Sequence, residues 1–237
     1  MRILIIFFGG LMTLFSCSAP SKIIKYDEHK NEFYTNSNLQ DLLVANKFPK
    51  VVLRVGKFNF RSLTDNSSQK TMDYLYNAME NELIKQGFNV KDRSTFNEFV
   101  SRTNSAELLK KELSDVDLVL EVVSIDDNVQ YSTNKVISLK RKDLTQAEDT
   151  RQYKSVGAYV EYHLIIVKNN EIGGTYKFYY EPCPHGCPIE NFKSINKGKK
   201  DNQLQLSKGL SKEIMEQFIS SSVQELVYSL RSTDQQK

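Results

Sequence analysis

Val116-Asp117-Leu118-Val119-Leu120-Glu121-Val122-Val123-Ser124-Ile125 is the most strand-like run in the chain. Its apolar and β-branched residues, broken only by Asp117, Glu121 and Ser124, suit a strand. Towards the amino end, Val51 to Phe60 gives a second strand, followed by a polar loop at Thr64 to Ser68. Met72, Leu75, Tyr76, Met79 and Leu83 then recur at steps of three and four, one face of an amphipathic helix. Gly87 ends that helix, because glycine takes the left-handed conformation that a helix C-terminus favours. Phe88 to Arg93 is a short extended piece. Thr95 and Glu98 form a capping-box pattern for a short helix through Val100, and Ala106 to Leu113 makes another.

Towards the carboxyl end, Val129 to Leu139 alternates weakly, and Lys140 to Tyr153 is highly charged. Gly157 to Lys168 is a second strong strand, turned at Asn169-Asn170-Glu171-Ile172-Gly173-Gly174 into a returning strand, Thr175 to Tyr180. The prolines and glycine of Pro182 to Pro188 exclude regular structure there. Lys193 to Gln203 is a polar, basic loop. Ser207 to Ser232 reads as a long helix, with Ile214, Phe218, Leu226 and Leu230 beside Met215, Ile219, Val223 and Val227. The expected fold class is α+β: a single mixed β-sheet with helices packed on one face and a long C-terminal helix.

The amino terminus sets the compartment. Arg2 precedes an apolar stretch, Ile3 to Phe15, too short for the roughly 20 residues of a spanning helix. It fits the apolar core of a secretory signal. The stretch closes with Leu14-Phe15-Ser16-Cys17, which resembles the lipobox of bacterial lipoproteins. That resemblance implies cleavage before Cys17 and diacylglycerol on its thiol, and two or three acyl chains hold a protein firmly on a membrane. The expected organisation is a signal peptide over 1–16, a lipidated tether over 17–48, an α+β domain over 49–232 and a tail over 233–237. The expected location is the cell envelope, at the outer membrane facing the periplasm.

From about Lys50 to Ile172 the order of elements resembles the domain shared by the curli-secretion lipoprotein CsgG, the N-terminal domain of TolB, and lipoproteins that activate penicillin-binding proteins. The residues that carry the resemblance are Gly87-Phe88-Asn89-Val90-Lys91-Asp92-Arg93 after the first helix, Asp115-Val116-Asp117-Leu118-Val119-Leu120 at the central strand, and Leu164 to Ile172 with its Asn169-Asn170 turn. The resemblance implies a CsgG/TolB-N-like sheet. The curli channel also carries membrane hairpins. Val129 to Val156 and Tyr176 to Leu206 stand where these would lie, but Thr133, Lys135 and the prolines interrupt the alternation that a lipid-facing strand needs.

A formal net charge of +3 is close to neutral for 237 residues and argues against a nucleic-acid partner. No phosphate-binding glycine loop, Gly-x-Ser-x-Gly elbow or His-Glu-x-x-His motif is present. His29 falls in the tether, and His163 reads as a satisfied sheet histidine. Cys183-Pro184-His185-Gly186-Cys187 carries the remaining two cysteines. An even pair in an oxidising compartment suggests a disulfide closing a Pro/Gly loop. A redox dithiol is the alternative, and so is a metal site on Cys183, His185 and Cys187, although its spacing matches no common zinc pattern. Asp126-Asp127, Glu148-Asp149 and Lys197 to Lys200 read as solvated loops.

No catalytic constellation or cofactor is expected. The leading functional expectation is a non-enzymatic binding or assembly module. Its partners are the membrane, through lipid on Cys17, and an envelope protein or further copies of itself. A subunit of a curli-like pore and an envelope thiol or metal protein are the alternatives.

Overall fold

A computed structural model describes residues 22–54, 68–102, 113–139, 145–189 and 209–232. Eight strands form one mixed sheet. In chain order the elements are β1 (Lys22–Ile24), β2 (Glu32–Thr35), α1 (Ser37–Ala45), β3 (Lys50–Arg54), α2 (Ser68–Lys85), β4 (Asn89–Lys91), α3 (Arg93–Arg102), β5 (Leu118–Ser138), β6 (Thr145–Ile166), β7 (Glu171–Tyr180), β8 (Cys187–Pro188) and α4 (Lys212–Ser232).

The sheet is organised by two long strands. β5 has 21 residues and β6 has 22, and they pair antiparallel from Leu118↔Ile166 to Ser138↔Thr145. The weakly alternating and charged segments are thus mostly continuations of the two strongest strands, joined through residues 140–144, which lie outside the described residues. β5 is long enough to hold two neighbours on one edge. Parallel β3 covers Leu118 to Glu121, and antiparallel β1 covers Val136 to Ser138. β7 covers the outer edge of β6 only from Ala158 to Ile166.

Alternation along β3 and β5 sends side chains to both faces of the sheet. Val51, Leu53, Leu118, Leu120 and Val122 meet Leu75, Met79 and Leu83 of α2 and Ile219, Val223 and Leu226 of α4 in the main core. Val52 and Val119 point the other way, onto Phe96 of α3. The expectation of helices on one face is therefore corrected: α3 lies on the opposite face, because both sides of β3 and of the start of β5 are apolar.

The motif residues are ties between these elements. Arg93 donates to Glu80 at 3.2 Å, Asp73 at 3.3 Å and Asn77 at 3.2 Å, and its guanidinium lies 4.7 Å from the Tyr76 ring centroid. Asp117 accepts from the Lys50 amide at 2.7 Å and from Asn46 at 3.1 Å, pinning the start of β3. Gly87 has φ +86°, as its place after α2 requires. The cap of α3 is Asp92 rather than Thr95, since Asp92 accepts from the Thr95 amide at 2.7 Å.

The tether is a second correction. From Lys22 onward the segment assigned to it is part of the fold. β1 pairs β5 and β8, β2 pairs β7, and Ile24, Tyr26 and Leu39 are buried. Asn36 caps α1 by accepting from the Leu39 amide at 2.9 Å. Cys17 and the expected signal lie outside the described residues, as do Val55 to Ser67, nearly all of the helix expected over Ala106 to Leu113, and the loop expected at Lys197 to Lys200.

Candidate partner-binding groove

A groove of about 570 Å³ opens where the end of β7 runs past the shorter β2. Four parts of the chain build it. Alternation along β7 directs Phe178 and Tyr180 towards α4 and Tyr179 to the other face. On α4, Gln217, Ser221 and Glu225 recur every four residues and so form one row along the groove. The stretch from Glu28 to Asn31 closes the side that β2 leaves open, and Pro184 of the disulfide loop forms the end.

The groove is held by polar ties rather than by strand pairing. Asn31 accepts from the Tyr179 amide at 3.0 Å and donates to both oxygens of Glu225 at 3.0 and 3.1 Å. The His29 amide donates to Glu181. The His29 ring stands 5.0 Å from Tyr131, edge-on, and 5.1 Å from Tyr179, which itself lies 5.2 Å from Tyr159. Tyr180 meets Phe218 edge-on at 5.9 Å. Burial pushes Tyr131 up to about 12, and the Glu181 charge adds to it. Burial also raises Tyr159, whose hydroxyl donates to Glu161. These phenols stay protonated and neutral at physiological pH. Tyr131 and Tyr159 lie behind the groove, whose own lining offers the rings of His29 and Tyr180, the Ser221 hydroxyl and the carboxylates of Glu181 and Glu225. It is equipped to hold a protruding polar or cationic side chain.

Cys183 and Cys187 are joined as a disulfide with Cα atoms 5.3 Å apart. The Gly186 amide donates to the Cys183 carbonyl at 2.8 Å, and Gly186 takes φ +92°. Cys187 begins β8 and pairs Ile24. Pro182 to Pro188 is thus not wholly irregular, because its last two residues extend the sheet. His185 is exposed at the loop tip. Among the described residues no three His, Cys, Asp or Glu side chains converge as metal ligands.

His163 sits in β6 between Glu121 and Thr175, with Nε2 3.6 Å from Glu161. Both acidic pairs lie in strands, which corrects their reading as loops. Asp126-Asp127 belongs to a β-bulge of β5, where the Asp127 carbonyl accepts from the Leu210 amide at 3.0 Å. Asp149, in β6, is held well below the usual carboxylate range by its bonds from Arg151 and from the Tyr153 hydroxyl. Sequence reading missed the groove because His29 and Asn31 fall in the segment assigned to the tether. Their one local signal is the pair of short apolar clusters at Ile23-Ile24 and Phe33-Tyr34, too brief to register as strands.

No protein-family model matches the chain, and no curated protein matches it. Among solved structures it is similar to a dodecamer of a PelC point variant from Paraburkholderia phytofirmans, with TM-score 0.36, 11% identity, and 82% of this chain and 96% of that chain covered. A second PelC dodecamer from the same organism gives TM-score 0.34 and 9% identity, covering 82% and 94%. A putative neuraminyllactose-binding hemagglutinin homolog from Helicobacter pylori gives TM-score 0.30 and 15% identity, covering 74% and 92%. Likeness at this level says nothing of what the chain does.

Proposed function

We propose that this chain is an envelope lipoprotein, anchored by lipid on Cys17, that acts as a non-enzymatic docking module for another envelope protein. The observation that carries the reading is the groove at the end of β7. It combines aromatic faces with fixed carboxylates, and it is open to solvent. That combination suits recognition of a side chain on a partner. A place beside the CsgG and TolB N-terminal domains belongs to the same proposal. What supports it is the order β3-α2-β4-α3-β5 and the structural use of Gly87, Arg93 and Asp117.

The pore alternative is less well supported. Near the far end of the β5–β6 hairpin Gln146, Glu148, Thr150, Gln152 and Lys154 are all exposed, and Asp149 to Gln152 bulge out of register. A lipid-facing strand would place apolar residues there.

A photo-crosslinking residue at Gln217, in the groove, should give a discrete adduct in intact envelopes. The same residue at Gln130, on the exposed hairpin face, should not. Tyr180→Ala, which removes the ring facing α4, should abolish the Gln217 adduct. Equal adducts from both positions, or an adduct indifferent to Tyr180→Ala, would remove the groove from the proposal. Fatty-acid labelling of the wild type but not of Cys17→Ala checks the anchor.

A further inference from the structure

The register of β1 fixes which end of the molecule meets the membrane. β1 starts at Lys22, and Lys22 pairs Ser138, the last residue of β5. The amino-terminal segment therefore enters the fold at the far end of the β5–β6 hairpin. Only Ser18 to Ser21 separate Cys17 from Lys22. Five Cα steps reach at most about 17 Å even when fully extended. The long strands run away from that point. Along the 21 residues of β5 the distance is on the order of 60 Å, and the β6–β7 turn at Asn169 lies beyond its other end.

We propose that the end of the hairpin formed by Lys22, Ser138 and Leu139 is a membrane-facing surface, and that the domain stands on the bilayer with its strands rising from it. The inference rests on lipid attachment at Cys17. The occupant is the lipid surface, because the chain leaving β1 is too short to put the anchor anywhere else. Leu139, an exposed apolar side chain at this end, and the cation of Lys22 suit the headgroup boundary. The groove then has a fixed height. Tyr180 pairs Ala158, and Gly157 pairs Val129, nine residues along β5 from Ser138, so the groove lies about 30 Å above the membrane. It would address a partner standing off the bilayer rather than a lipid.

The test uses the full-length precursor, processed and lipidated in a bacterial host and reconstituted into vesicles of phosphatidylethanolamine and phosphatidylglycerol carrying a trace of headgroup-labelled acceptor lipid. A donor dye is placed on Leu139→Cys, on Gln146→Cys as a second position at the same end, or on Asn169→Cys at the opposite end. Energy transfer to the lipid should be several-fold higher from the first two than from the third. Inserting a long Gly/Ser spacer between Ser21 and Lys22 should lower the transfer at Leu139 towards that at Asn169. Protein that floats with the vesicles but gives equal transfer from all three positions overturns the orientation and leaves the anchor standing. Protein that fails to float overturns the anchor, and the orientation with it.

Discussion

β5 and β6 pass through two very different environments. At the start of β5 and the end of β6, Leu118 to Val122 and Val160 to Ile166, they are covered by α2 and α4 on one face, with α3 against the start of β5 on the other. β3 and β7 cover both outer edges. At the far end the same strands support only a satellite core of Ile24, Tyr26, Tyr131, Val136, Tyr153, Cys187 and Ile189. Its neighbours are the three-residue β1 and the two-residue β8. The outer edge of β6 from Thr145 to Ser155 has no partner strand among the described residues. That edge is guarded. Between Thr133↔Tyr153 and Lys135↔Glu148 the register shifts, so Asp149 to Gln152 bulge opposite Asn134, and Glu148, Asp149, Arg151 and Lys154 charge the rim. Bulges and charges of this kind discourage pairing with another chain. One pair of strands thus serves two cores of unequal size. The smaller core draws on a disulfide and on the amino-terminal segment, because it has too few apolar residues to stand alone.

Damage to the larger core should have the largest effect. Leu83 is 2% exposed against the sheet. Leu83→Ala should cost about 2–5 kcal/mol in reversible denaturant unfolding, the range for a fully buried leucine. A loss below about 0.5 kcal/mol would mean that α2 does not pack on the sheet as described.

At the boundary between the two regions, Gly157 is the residue to change. An added Cβ would lie 2.3 Å from the Tyr180 carbonyl and 2.4 Å from the Tyr131 ring, so backbone as well as side chain must move. Gly157→Ala should destabilise by up to about 3 kcal/mol, an overpacking cost. It should also disturb the His29–Tyr131 contact. A variant as stable as wild type would show that the two cores can slide past each other without loss.

Much of the larger region was legible in the sequence. Leu118 to Ile125 and Gly157 to Ile166 carry strong apolar patterns, and Met72 to Leu83 and Met215 to Leu230 carry helical spacing, because burial on a wide face demands it. The smaller region was not legible, for physical reasons. β1, β2 and β8 are two to four residues long, too short to show a period. The far halves of β5 and β6 expose one polar face, so Gln146, Glu148, Thr150, Gln152 and Lys154 look like loop. Their strand character comes from pairing and not from burial. The groove inherits the same difficulty. Tyr179 and the Gln217-Ser221-Glu225 row sit in elements that periodicity finds, while His29 and Asn31 sit in a segment whose structure is set by distant partners.

The disulfide tests whether the smaller core depends on its staple. Cys183→Ser/Cys187→Ser should cost about 2 kcal/mol on the loop-entropy model. Hydrogen exchange should place the loss: the amides of Ile23 and Ile24 should exchange faster, and those of Leu118 to Leu120 should not change. His185→Ala should alter neither. Exchange that accelerates equally in both regions would mean that they open as one unit and that the division drawn above is not energetic. Freely alkylated thiols in envelope-purified, unreduced protein would remove the staple altogether and favour the thiol or metal alternative.

The smallest expected effect lies in acid, where each region has an aspartate held low. Asp92, on the larger region, is pulled down to about 2 from an ordinary 3.8 by the Ser94 hydroxyl and then by the Thr95 amide at the start of α3. Because the folded value is the depressed one, the stabilisation is fully present above about pH 4. It is lost as pH falls through the folded value near 2. The unfolding midpoints of wild type and Asp92→Ala should therefore differ near neutrality and converge between pH 4 and pH 2, with the change read in α3. Asp149, on the smaller region, is depressed by its own Arg151 and by Tyr153. Asp149→Ala should act the same way in sign but should loosen the hairpin around Tyr153 and leave α3 intact. Asp92 is exposed and Asp149 only half-buried at the sheet rim, so neither difference should be large, and salt should reduce the Asp149 effect more, since an ion pair rather than a cap sustains it. If the Asp92→Ala gap persisted unchanged to pH 2, the cap would be working through its neutral form, and the charge at the start of α3 would carry none of its stability.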